Sequence, residues 1–309
     1  MVKVCELEYP KGYSKYQKSS GFAMNPILKQ QLDIYLKNIK NDWDFTIIIA
    51  GEGEVRVGKS VLAMQIAAYW CNQIKELYGI DVPFDLKQNY VFNGVDLIKK
   101  GNELGQKYPY SPLIFDEAGA DLEGIKAMSK TTKAVKDFFR ECGQYNLLNI
   151  LVIPEYFDLP KGIALSRSSC MINVYWLGTD EGIMKRGYFK FYSRPNKKRL
   201  YLYGKKDLNY NAWKQDFYGT FDNFYPLNEK EYRKMKKVAL KTREKVTSKE
   251  IKLRHWLKGA LAYMHDNDLS HREIADEIKI RAKLKIHYRT VGKLLEGLRE
   301  EDEGFEGSG

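Results

Sequence analysis

Eight residues constrain this chain more than any others: Gly53-Glu-Val-Arg-Val-Gly58-Lys59-Ser60, which satisfies the pattern GxxxxGK[ST]. They follow Phe45-Thr-Ile-Ile-Ile-Ala50, a continuous apolar, β-branched run of the kind found in strands buried on both faces. They open a helix-like run from Lys59 to about Tyr78. A glycine-rich turn between strand and helix is a phosphate cradle. The glycines allow backbone conformations closed to other residues, so successive N–H groups can curl around phosphate oxygens at a helix N-terminus. The expected nucleotide-binding residues are therefore Gly53, Glu54, Val55, Arg56, Val57, Gly58, Lys59, Ser60 and Val61. Lys59 is expected to reach the β/γ oxygens and Ser60 to ligate Mg²⁺, which makes ATP and Mg²⁺ the implied cofactors. Glu52 and Glu54 place carboxylates beside this loop. They are expected to point outward or toward a neighbouring subunit's cation, because like charge near a triphosphate weakens binding.

A second apolar run, Leu113-Ile-Phe-Asp116-Glu117, ends in two acids at the distance downstream where a metal-holding strand is expected. Asp116 would hold Mg²⁺ through water or through Ser60, and Glu117 would polarise the attacking water. Paired acids at a strand end point to hydrolysis. A kinase reading is weaker, since it calls for a lid and a substrate pocket and has no need of the second acid. Further strands are expected at Asn89–Asn93, Asn149–Ile153 and Met171–Leu177, with helices at Val95 to about Lys107 and Lys126 to Cys142. The implied fold class is α/β: a three-layer P-loop NTPase domain with a mostly parallel sheet, followed by a small all-α C-terminal domain.

The chain has 309 residues and 44% hydrophobic residues, enough for two domains with real cores. Its formal charge is +11, which favours a polyanionic partner, nucleic acid first. Residues 228–299 carry 20 basic against 10 acidic side chains, so nearly all the excess lies there. Four dispersed cysteines and four histidines lack metal-ligand spacing, which argues against a disulfide framework or a zinc site. No stretch reaches the length of a membrane span and no apolar signal core is visible, so the host-cell cytoplasm or a virion is the expected location. The expected organisation is an N-terminal extension over 1–43, the ATPase domain over 44–227, a basic linker helix over 228–250, a helix-turn-helix-like domain over 251–299 and an acidic tail over 300–309.

Several stretches together resemble the FtsK/HerA superfamily of DNA-pumping, ASCE-type P-loop ATPases, closest to the mobile-element and viral branch known as Zot-like. They are Asp116-Glu-Ala-Gly119, the helix with Met128-Ser129 and Lys133, Asn146–Pro154, Phe157-Asp-Leu-Pro160 and Ala164-Leu-Ser-Arg167. The likeness spans roughly Asp44 to Tyr203. Where many relatives end the fourth strand in Thr-Gln, this chain has Ile153-Pro154-Glu155, which leaves the γ-phosphate sensor unassigned. The resemblance implies a hexameric ring that moves double-stranded DNA through its pore. A ring ATPase needs a cation from the adjacent subunit at the transferring phosphoryl group. Arg167, at the family-like Leu-Ser-Arg step, is the first candidate and Arg140 the second.

Two regions are candidates for DNA contact. Arg186–Arg194 and Arg199–Tyr203 read as two strands joined by a basic turn, with Lys197, Lys198 and Arg199 able to touch a phosphate backbone. Lysines that protect a sheet edge are the competing explanation. The aromatic-rich stretch after it, Asn209–Tyr225, is expected to pack across the ATPase core. Farther on, three helices are expected. Ile251–His265 has an apolar stripe at Leu253, Trp256, Leu257, Ala260, Leu261 and Met264; a second helix runs through Ile278 with a Ser270/Glu273 capping box; the third is Tyr288–Leu298. The third would enter the major groove through Tyr288, Arg289, Thr290 and Lys293. A protein-interaction module is the alternative there. The combined expectation is an ATP-driven motor on double-stranded DNA from a virus, plasmid or other mobile element, serving packaging, transfer or segregation, with any portal, relaxase or capsid partner unspecified. An ATP-switched DNA-binding adaptor is the rival. A phage morphogenesis or secretion ATPase comes third, because no membrane helix is visible.

Overall fold

The computed structural model describes residues 4–5, 22–54, 56–118, 130–282 and 287–292. Val55, Gly119, Met128, Ser129, Lys293 and the acidic tail lie outside the described residues. The chain divides into two compact units, Met1–Lys236 and Lys237–Gly309.

The first unit is built on a seven-stranded sheet. Its strands are β3 (Phe45–Ala50), β4 (Tyr90–Val91), β5 (Pro112–Asp116), β6 (Leu148–Val152), β7 (Cys170–Gly178), β8 (Met184–Tyr192) and β9 (Phe217–Thr220), in the spatial order β4-β5-β6-β3-β7-β8-β9. The five from β4 to β7 are parallel, while β8 and β9 add antiparallel pairs at one edge. Every residue of β3, β5 and β6 is buried, as unbroken apolar runs in a covered parallel sheet must be. The register Ile47↔Ile150 and Ile114↔Ile150 sets β6 between the strand that feeds the phosphate loop and the strand that ends in the acids. Two short strands, β1 (Val4–Cys5) and β2 (Phe22–Ala23), form a separate parallel pair.

The helices of this unit are α1 (Pro26–Ile39), α2 (Lys59–Tyr78), the short α3 (Leu86–Asn89), α4 (Gly94–Lys107), α5 (Lys130–Glu141) and α6 (Arg194–Gly204). Asn25 caps α1, its side chain accepting from Ile27 N and Leu28 N, and Pro26 supplies a first-turn residue that needs no donor. The central helix α2 buries Leu62, Met64, Ile66, Tyr69 and Trp70, and Trp70 Nε1 donates to Tyr110 O at 2.8 Å. Together these elements form the three-layer α/β fold of P-loop NTPases.

Three expectations need correction. Arg194–Gly204 is the helix α6, so the basic hairpin is a single strand, β8, followed by a helix. Pro195 at the first turn and the large aliphatic and aromatic residues Leu200 and Tyr201, both buried, suit a helix packed on the core. Lys197 is completely buried, its ammonium donating to Ala164 O at 2.6 Å and Leu165 O at 3.2 Å, so it faces the protein interior and not a polyanion. Second, the 228–250 linker and the first C-terminal helix are one continuous helix, α7 (Glu229–Asp266), with no break at 250. Third, the stripe expected to face a core on that helix does so only in part: Leu261 is buried, whereas Trp256 is 72% exposed and Leu257 is also exposed.

In the second unit, the end of α7, helix α8 (His271–Ala282) and the helical residues 288–292 enclose a small core of Leu261, Ile274, Ala275 and Val291. The capping box is present. Ser270 N donates to Glu273 Oε2 at 2.8 Å and Glu273 N donates to Ser270 Oγ at 3.4 Å. Among the described residues, no helix is long and apolar enough to cross a membrane.

Burial pushes the Lys197 amine down from 10.5 to about 7. The unfolded chain keeps this proton to higher pH, so unfolding takes up a proton between those two values and stability rises with pH across that window. Denaturant midpoints are expected to climb from about pH 7 to about pH 9 in the wild type. Lys197→Met is expected to flatten that climb.

Candidate active site

The phosphate loop leaves β3 and is tied at once to its neighbours. Gly51 N and Gly53 N both donate to Pro154 O, at 3.2 and 3.1 Å, so the end of β6 fixes the start of the loop. Gly53 and Gly58 have φ of +73° and +107°, the left-handed region that the two glycines were expected to supply. Gly58 is required twice over: a Cβ there would fall 2.9 Å from Cζ of Phe221, whose ring lies over it. Glu52, one of the two awkward acids, is held by Asn173 Nδ2 at 2.7 Å and is exposed, so its charge is anchored toward β7. Lys59 opens α2 and donates to Glu54 O within the loop. Burial lowers its affinity for a proton, while Glu117 and Asp116 oppose that effect.

Across the gap made by β6, β5 delivers the acids. Asp116 is almost completely buried, and three hydroxyls converge on its Oδ2: Ser60 Oγ at 2.9 Å, Tyr90 OH at 2.9 Å and Tyr232 OH at 2.8 Å. Its other oxygen, Oδ1, accepts from Glu117 N at 2.9 Å. Glu117 itself has a φ of +59°, a left-handed conformation that a non-glycine residue holds only where its surroundings demand it. Ala118 N, donating to Val152 O at 3.0 Å, is part of that demand.

The donors here suit Mg²⁺. Ser60 Oγ and the Asp116 carboxylate meet at the loop end of the sheet, offering oxygen only, and among the described residues no cluster of three His, Cys, Asp or Glu side chains builds a closed metal cage. Mg²⁺ is a hard ion that keeps several waters and takes phosphate oxygens, so one hydroxyl and one carboxylate suffice. When bound, it would neutralise charge on the phosphate oxygens.

The candidate cations lie elsewhere. Arg167 ends a π-helical turn, Gly162–Arg167, and its Nε donates to Phe139 O at the end of α5. Its Nη2 is buried without a hydrogen-bond partner among the described residues. Arg140 is exposed and pairs with Asp137 at 3.2 Å. Neither touches the loop or the acids of this chain. Glu155, at the position left without a sensor role, accepts from Tyr210 OH and from Phe157 N at 3.2 Å, so it is used in packing a local turn. Burial raises its pKa.

Sequence reasoning missed the cation that is present. Lys236 Nζ lies 2.6 Å from Glu117 Oε1 and 3.6 Å from Asp116 Oδ2. Burial disfavours its charge, but Asp116 and the groups around it outweigh burial and hold the ammonium above its ordinary range. Lys236 sits in a run of like charges that reads as a solvated helix, and only its spacing of four from Tyr232 hinted at a shared face. Of the residues expected to meet DNA, Arg199, Arg289 and Thr290 are exposed and Lys198 is half-buried. Arg199 stacks on Trp213 with 4.8 Å to the ring centroid. Tyr288 packs against the small C-terminal core, with the Arg272 guanidinium 5.1 Å from its ring centroid.

No family model and no curated relative matches the chain. Among solved structures it is similar to the genome-packaging NTPase B204 of Sulfolobus turreted icosahedral virus 2 bound to ATP-γ-S, at 16% identity and TM-score 0.32, over 50% of this chain and 94% of that one. It is similar to the DNA-packaging ATPase B204 of Sulfolobus turreted icosahedral virus, at 17% identity and TM-score 0.35, over 50% and 95% of the two chains. It is also similar to the N-terminal domain of zonular occludens toxin from Neisseria meningitidis, at 12% identity and TM-score 0.36, over 62% and 98%. Likenesses this remote carry nothing about activity; the residues of the site must do that.

Gly58→Ala puts a Cβ into the Phe221 ring at a left-handed position. It is expected to cost about 1–3 kcal/mol of stability, read from denaturant unfolding, and to weaken nucleotide binding at least about tenfold in a fluorescent-nucleotide titration. Wild-type affinity in that variant would show that the loop does not cradle phosphate.

Proposed function

We propose that this chain is an ATP-hydrolysing motor that acts on double-stranded DNA, with Mg²⁺ as its metal. The observation that carries the hydrolytic half is the 2.9 Å contact between Ser60 and Asp116, which joins the phosphate loop to the acid strand across β6 with Glu117 next in sequence. In this reading Lys59 and the loop N–H groups bind the β- and γ-phosphates. Water attacks the γ-phosphorus, Glu117 takes its proton, and the bond to the β-phosphate oxygen breaks to release ADP and phosphate. Ser60 and Asp116 would hold the divalent ion, with Tyr90 and Tyr232 fixing the Asp116 carboxylate.

Duplex DNA as the polymer rests on the sequence resemblance to DNA-pumping ATPases and on the positive charge gathered after residue 227. The second unit, a small three-helix cluster with exposed Arg289 and Thr290, is the proposed DNA-recruiting element, and a ring is the proposed assembly. In such a ring Arg167 or Arg140 would have to leave its present partner to reach a neighbour's nucleotide. The measurement that checks the reading is ATPase activity with and without long duplex DNA. Wild type is expected to be stimulated, whereas Lys59→Ala and Glu117→Gln lose at least about a hundredfold in turnover. Equal activity of all three would remove it.

Deleting residues 251–309 is expected to weaken DNA binding and make it less salt-dependent, because each lost phosphate contact lowers the slope of log K against log salt by about 0.9. An unchanged slope would reject the DNA-binding role of the second unit.

A further inference from the structure

The segment after β9 crosses the nucleotide site before it enters α7. Phe221 covers Gly58, and the buried Gln65 of α2 donates from Nε2 to Asp222 O at 2.7 Å and to Phe224 O at 3.0 Å. Tyr232 then packs against Tyr90 at a centroid distance of 5.4 Å and places its hydroxyl on Asp116. One turn later Lys236 reaches both acids, and it stays 26% exposed on its open side. Lys59 is the neighbour in sequence of Ser60, whose hydroxyl meets Asp116 at 2.9 Å. Two ammoniums and two carboxylates thus converge on the space between the loop and β5, where a triphosphate would have to lie.

We propose that Lys236 is the in-chain cation of this catalytic centre: its ammonium neutralises Asp116 and Glu117 while the site is free of nucleotide, then moves onto the oxygens of the transferring phosphoryl group. This deepens the ATPase reading and rests on it. The electrostatic reason is a balance of charge. An ammonium on Oε1 weakens Glu117 as a base toward water, and the flexible four-carbon stem of a lysine lets its ammonium exchange a carboxylate for a phosphoryl oxygen. The acids meet the nucleotide's own counter-ion, and the ammonium is released to the charge that develops as water adds and the β–γ bond breaks. Lys236 forms no covalent bond and keeps its protons throughout; the water proton goes to Glu117. Such placed charge acts most strongly in a site shielded from solvent, which the strap of residues 221–236 helps to provide.

The test compares wild type, Lys236→Met and Lys236→Arg in binding of ADP, binding of ADP with aluminium fluoride as a mimic of the transferring phosphoryl group, and turnover. Lys236→Met is expected to lose about a hundredfold or more of the affinity that aluminium fluoride adds to ADP binding, and to fall by a similar factor in kcat. Lys236→Arg is expected to recover at least about tenfold of both. A variant-free readout accompanies these: in wild type, amide exchange over residues 229–236 should slow further with the fluoride complex than with ADP alone. Undiminished fluoride-complex affinity in Lys236→Met, faster turnover in that variant, or exchange that does not slow would each overturn the proposal and leave Lys236 as an ion pair or a brake. Wild type unable to bind ADP or ATP-γ-S at all would instead defeat the ATPase reading, and the proposal with it.

Discussion

One buried carboxylate organises this molecule. Asp116 is almost inaccessible to water, and a charge in that position is tolerable only when its lone pairs are satisfied. Its Oδ2 receives hydroxyls from α2, β4 and α7, and the ammonium of Lys236 lies close by. Breaking such a set by removing one partner typically costs about 3–5 kcal/mol where the partner is the counter-charge. The carboxylate therefore acts as a junction: it holds the start of the central helix, the edge strand and a helix more than a hundred residues later in mutual register. The same oxygen atoms that a nucleotide-bound metal would address are those that stabilise the fold around them.

The sheet order explains why the junction is possible. With β6 interposed, the loop after β3 and the acids after β5 are separated by one strand width, leaving room for phosphates at the carboxyl ends of the strands. β6 itself contributes backbone in place of a side chain. Pro154 O anchors Gly51 and Gly53, and the following Glu155 turns away to cap Tyr156–Asp158 and accept from Tyr210. Glu155 is half-buried there, and burial pushes its carboxyl up.

The parts of this architecture encoded locally were legible from sequence. The phosphate loop, the β-branched strand before it, the acid pair and the Ser270/Glu273 cap all depend on residues within a few positions of one another. The parts that failed depend on tertiary context. Residues 199–203 alternate like a strand, yet the helix 194–204 wins because Leu200 and Tyr201 find a core to enter and Lys197 finds two carbonyls within it. Tyr232 and Lys236 gave no local signal beyond their spacing of four, since the groups they meet lie in distant parts of the sequence. Among the described lysines of the charge run, Lys230, Lys234, Lys237 and Lys241 are exposed, and that company concealed Lys236, which turns inward to the acids.

The compact unit that holds both acids ends later than the change in composition suggests. A boundary at 227, placed by the change in composition, would leave Asp116 without Tyr232 and Glu117 without Lys236. The compact unit closes at Lys236 instead. Its far end is tied back as well: Phe22 stacks on Phe224 at 6.0 Å, so the strap over the loop is braced from the beginning of the described chain. Gln65, buried in the central helix, fixes the same strap by its backbone. Order in the strap is thus bound to order in the helix whose first turn carries Lys59 and Ser60, and a ligand that tightens one end of that helix acts on a segment already fastened to the other components of the site.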